Sequence, residues 1–155
     1  MKKVLAVLLV LMCCAFVSYV FAQSKTDEAE INRANIEAQK KEIVAANMQL
    51  TDAESKVFWP VYNEYQAAMK AINDKLAAVI QDFAKNYNTM TDAKAGEILK
   101  GYLATEKERL ALKEKYVPKF KKVLPMIKVT RYYQIENKLE AMVRYQLVKQ
   151  IPLAK

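Results

Sequence analysis

Apolar side chains recur every three or four residues from residue 50 to residue 147, and nowhere do they alternate with a period of two. The longest run is Phe58, Val61, Tyr65, Met69, Ile72, Leu76, Val79, Phe83 and Tyr87, which share one helical face. Leu99, Leu103, Leu110 and Val117 form a second stripe, with Ile98 and Tyr102 beside it. Val129, Tyr132, Leu139, Val143 and Leu147 form a third, flanked by Tyr133, Ile135 and Met142. A thinner stripe of Ala29, Ile36, Ile43 and Leu50 repeats every seven residues ahead of them. The pattern predicts four helices, at about 27–48, 52–87, 92–117 and 125–149, and no strand. A helix over 52–87 is roughly 54 Å long at 1.5 Å per residue, so the expected fold is all-α: an elongated, bent helical hairpin.

Local signals mark the helix starts. Thr51 and Glu54 form a capping box: the hydroxyl accepts from a free helix N–H, and the carboxylate reaches back to the Thr51 N–H. Met90-Thr91-Asp92-Ala93 repeats Leu50-Thr51-Asp52-Ala53 forty residues later, which makes Thr91 the second cap. Thr26 before Asp27 and Glu28 suits the first helix, and Asn47 suits its stop. Pro125 fits a first turn. Pro60 is expected to bend its helix, and Pro118 to bend or end the third, leaving Lys119 to Lys122 as a basic elbow.

Composition narrows the chemistry. The 155 residues include no histidine and only two glycines, and the two cysteines are Cys13 and Cys14. The usual general base and the commonest metal ligand are missing, and no glycine-rich phosphate loop exists. Only oxygen ligands remain for a metal, and Asp52, Glu54 and Asp92 are better explained as helix-start residues. Glu106 and Glu108 are read as solvated helix charges. Neither Ser24 nor Ser55 can find a histidine base. No catalytic residue, cofactor or metal is expected.

The N-terminus changes the compartment. Lys2 and Lys3 precede an apolar run from Val4 to Ala22, and Val20-Phe21-Ala22 places small residues at a cleavage site before Gln23. Residues 1–22 are read as a signal peptide cleaved after Ala22, with export to the periplasm and residues 23–155 as one helical domain. An uncleaved membrane anchor is the other reading of the same run. After cleavage no cysteine remains, so packing rather than disulfides must hold the fold. Residues 107–155 carry nine more basic than acidic side chains, whereas 23–106 carry three more acidic than basic. That asymmetry suggests an anionic partner or a solvated lysine-rich face. In an exported protein the partner is an acidic polypeptide, cell-wall polymer or lipid surface rather than nucleic acid.

The repeated helix start, in a small basic exported helical chain, resembles the Leu-Thr-x-x-Gln motif of the Spy/CpxP family. The likeness runs loosely over residues 43–147, and the glutamine positions here hold Glu54 and Lys94. It implies long bent helical hairpins, pairing into homodimers, binding of unfolded polypeptides, and a part in sensing envelope stress. Phe58 to Tyr62 and Leu124 to Asn137 also resemble a group of uncharacterised bacterial exported helical proteins. Three surfaces follow as expectations. Phe58, Trp59 and Tyr62, with Arg131, Tyr132 and Tyr133, form either a polypeptide-binding surface or ordinary core around Pro60. Lys119, Lys121, Lys122 and Lys128, interleaved with Phe120, Val123, Leu124 and Ile127, form an anionic-surface site that suits a membrane. Met48, Met69, Met90, Met126 and Met142 are either an adaptable client surface or gap-filling core. The expected function is non-enzymatic binding of unfolded clients, against two alternatives: an adaptor for one folded partner, or a membrane-surface protein.

Overall fold

The computed structural model describes residues 36–154, and the expected signal peptide, its cleavage site and the start of the first helix lie outside them. The described residues are helical with no strand, so the chain is all-α. It divides into two compact units, Met1–Ala46 and Asn47–Lys155. Residues 36–48 (α1) are helical, with Val44 and Met48 buried four residues apart. The helix stops at Gln49 rather than Asn47, because Gln49 takes a left-handed backbone (φ 50°) that no further helical turn can follow.

The second unit holds α2 (Asp52–Asn86), α3 (Asp92–Lys121) and α4 (Met126–Val148), with a single 3-10 turn, Tyr87–Thr89, between α2 and α3. The capping box forms: Glu54 N–H donates to Thr51 Oγ1 at 3.3 Å, and Thr51 N–H donates to Glu54 Oε2 at 2.8 Å. Thr91 caps α3 by accepting from the Lys94 N–H at 3.2 Å, without a reciprocal carboxylate. α2 runs on through Pro60 and α3 through Pro118, four residues past the expected end. Lys119 and Lys121 are therefore the last turn of a helix, not an elbow, and Lys122 is its C-cap. Pro125 precedes α4 as its N-cap.

α2 and α3 pair antiparallel along most of their length. Ion pairs fix the register from one end to the other: Lys94 to Asp82 at 2.8 Å, Lys75 to Glu108 at 2.6 Å, and Lys119 to Glu64 at 2.6 Å. The α2 and α4 backbones stay apart, and large rings bridge the space between them. The expected α2 stripe does face inward, with Phe58, Tyr65, Met69 and Ile72 buried and Leu76, Val79 and Phe83 half-buried. The expected α3 stripe does not. Leu99, Leu103 and Leu110 are more than half exposed, and α3 instead buries Thr105, Arg109, Tyr116 and Phe120. Both sets repeat at helical spacing, so periodicity alone favoured the leucines. The pairing with α2 chose the other face, where Arg109 meets Met69 and Asn73.

Candidate functional site

At the Pro60 end of the α2–α3 pair the expected aromatic surface is a packed core. Phe58 and Tyr132 are fully buried and Tyr62 is 4% exposed, which favours the ordinary-core reading of these residues over a polypeptide-binding face. Phe58, Tyr62 and Tyr65 follow one another at four and three residues, so one face of α2 points all three at the rings of α3 and α4. Phe120 and Tyr132 meet at a 49° tilt with centroids 4.7 Å apart, and Phe58 meets Tyr132 edge-on at 5.4 Å. Each such pair adds about 0.5–1.5 kcal/mol beyond the area it buries. Tyr132 is tolerated inside because its hydroxyl accepts from Gln66 Nε2 at 3.1 Å, and burial raises its pKa above the ordinary tyrosine value. Burial also pushes Tyr133 up to about 12, and its hydroxyl donates to the Lys113 carbonyl at 2.9 Å. The Tyr65 hydroxyl is buried with no hydrogen-bond partner. Trp59 is half-buried against Phe58 and Tyr62, and only Arg131 of the six is exposed, donating to Gln49 Oε1 at 3.1 Å.

The four lysines are also separated. Lys128 donates to Glu54 and to the Gln49 carbonyl, joining α4 to the α2 capping box. That ammonium, with the Thr51 N–H next, holds the Glu54 carboxyl below the usual carboxylate range. Lys119 pairs with Glu64 and lies 4.4 Å over the Tyr116 ring. Lys121 and Lys122 stay exposed. Of the five methionines, Met48 and Met69 are core, Met90 is half-buried, and Met126 and Met142 are exposed.

The opposite end of the pair opens into a groove of about 580 Å³. Leu76, Val79, Ile80 and Phe83 of α2 form one wall, and Ile98, Leu99 and Tyr102 of α3 form another. Leu147 and Val148 of α4, with residues 151–154 beyond it, close the third side. Gly101 permits the close approach of the first two walls, because a Cβ there would sit 3.1 Å from Val79 Cγ2. Among the described residues only two charged ones touch the groove, Glu106 and Arg144, and they bond each other at 2.7 Å.

Those two residues also line a smaller polar pocket of about 360 Å³, shared with Arg109, Lys113, Asn137 and Glu140. Glu140 accepts from Lys113 at 2.7 Å and is ion-paired with Arg144 at 3.0 Å. Burial opposes its ionisation, but Lys113, Arg109 and Arg144 together outweigh burial and hold the carboxyl below its usual range. Glu106 is thus not the solvated charge its sequence position suggested; it ties α3 to α4, and Glu108 ties α3 to α2. A sequence signal for this cluster existed. Glu106, Arg109 and Lys113 are spaced three and four apart, and Glu140 and Arg144 four apart, so each set shares one helix face.

Among the described residues no group of three or more acidic, histidine or cysteine side chains could hold a metal ion, and no helix is long and apolar enough to cross a membrane. No family model, curated protein or solved structure matches the chain.

Proposed function

We propose that this is an exported, non-enzymatic protein of the periplasm that binds polypeptides with exposed apolar segments, in the manner of a holdase. The observation that supports this reading is the apolar groove between α2, α3 and residues 147–154. A soluble protein that leaves such a concave apolar surface open has a free-energy incentive to cover it, worth about 25 cal/mol per Å² of apolar area removed from water. Its walls are aliphatic and aromatic and offer hardly any hydrogen-bond donors. It suits side chains recognised by area rather than by pattern, as binding of many unrelated clients requires. Such binding is weak and needs no nucleotide.

The test is suppression of aggregation of several unrelated unfolding proteins by the full chain, compared with Leu99→Asp and Leu153→Asp. Both residues line the groove and are exposed, at 57% and 89%, so the substitutions leave the fold intact. The expected result is broad suppression by the parent chain and a marked loss in both variants. Suppression of no client at any stoichiometry would leave an adaptor for one folded partner as the better reading.

A further inference from the structure

We propose that the turn between α3 and α4 docks on an anionic bilayer surface, with Met126 and Ile127 entering the interface and Lys121, Lys122 and Arg131 lying among the headgroups. The groove lies at the other end of the α2–α3 pair, so failure of this inference leaves the polypeptide-binding reading untouched. Packing divides the residues around the turn into two sets. Phe120, Leu124 and Val129 are buried and hold the turn from behind. Lys119 and Lys128 are taken up by Glu64 and Glu54. The outward set is Lys121, Lys122, Met126, Ile127 and Arg131; all five are exposed, Met126 to 50% and Ile127 to 77%.

The outward set has the chemistry of a membrane interface. Among the described residues none of its three cations pairs with a carboxylate, and Arg131 donates only to the neutral Gln49 amide. Residues 121–131 hold four basic side chains and no acidic one, so charge complementarity selects an anionic partner. Ile127 and Arg131 are four residues apart and share one face of α4. With Ile127 at the acyl boundary, the Arg131 stem can lie along apolar surface while its guanidinium stays at headgroup level. Shape selects a bilayer over an acidic protein. Only four residues, 122–125, separate the ends of α3 and α4. So small a protrusion falls short of the roughly 800 Å² per partner that a stable protein contact buries, whereas fluid lipid closes around it. The turn is already held by its buried residues, so docking has little chain to order.

The experiment is co-sedimentation of the chain, as the cell exports it, with vesicles of phosphatidylcholine alone and of phosphatidylcholine mixed with phosphatidylglycerol. The expected result is binding to the mixed vesicles at low salt, weakened at high salt, and little binding to the neutral ones. Lys121→Gln with Lys122→Gln should weaken partitioning about 25-fold, since each lysine near an anionic leaflet supplies about 1 kcal/mol, or about fivefold. Met126→Ser with Ile127→Ser leaves the charge unchanged and should weaken it by about tenfold, because two apolar side chains no longer leave water. Lys100→Gln with Lys107→Gln removes the same charge from exposed sites at least about 21 Å away along α3 and should bind as the parent does. All these positions are exposed, so urea melts of the variants should match the parent. A parent chain that binds neither vesicle, or both equally, overturns the inference. So does an equal loss in the Lys100 and Lys107 control, which would mean general attraction to a basic protein. Full binding by the serine variant also overturns it, and would favour an acidic polypeptide held by charge alone.

Discussion

The two ends of the α2–α3 pair start from the same apolar stripe and finish differently. Near Phe58 and Tyr65 the stripe is sealed, because Val129 and Tyr132 of α4 complete a three-sided core with Phe120. Near Val79 and Phe83 the stripe is only half-covered, and the α4 residues there, Leu147 and Val148, are themselves 38% and 64% exposed. Two helices alone cannot enclose a stripe this wide; a third element must lie over it. One end of the unit is therefore closed by packing, and the other is left with an open apolar surface.

The sharpest way to break this comparison is to remove a ring from the sealed end. Phe120→Ala deletes a fully buried side chain in ring contact with Phe58, Tyr65, Tyr116, Tyr132 and Tyr133, and should cost about 3–5 kcal/mol in urea melts. If the cost were under about 1 kcal/mol, the two ends would not differ as described. Caps come next. Thr51→Ala should cost about 1 kcal/mol and Thr91→Ala less, since only Thr51 has the reciprocal Glu54 bond.

At the open end, glycine substitutions distinguish free space from close packing. Gly96→Ala should stabilise by up to about 1 kcal/mol, because nothing lies within 4 Å of the added methyl. Gly101→Ala should gain less or lose, because its methyl would press on Val79. A like gain at both sites would mean that the groove walls are looser than the 3.1 Å approach implies.

The smallest effect is a change of slope with pH. Glu140 has a lowered pKa in the folded chain, so its contribution to stability is present above the unfolded carboxylate value of about 4.3 and is lost as pH falls through the lower folded value. Glu140→Gln should therefore flatten the loss of stability below about pH 4. Urea melts at several acidic pH values check this, and an unchanged slope would remove Glu140 from the cluster's electrostatics.

Much of the architecture was legible before any coordinates. The α2 stripe and both threonine caps needed only local spacing, because a capping box is closed within four residues and a nine-position stripe has one helical face to offer. What failed was the choice between faces on α3. Its leucines repeat at helical spacing as well as Thr105, Arg109, Tyr116 and Phe120 do, and no local rule prefers a face that carries an arginine. The aromatic cluster stayed open between surface and core for a related reason. Phe58, Tyr62 and Tyr132 have the composition of a binding surface and of a core alike, and only Gln66, reaching across from α2 to the Tyr132 hydroxyl, makes burial acceptable.

By itself, then, the sequence determined the overall all-α class and the starts of α2, α3 and α4, since these depend on bonds and spacings within a few residues. Tertiary structure alone decided where α4 lies along the α2–α3 pair. That placement sealed one end with rings, joined Glu106 to Arg144, and left the groove at the other end, because contacts between residues on different helices depend on how whole helices pack.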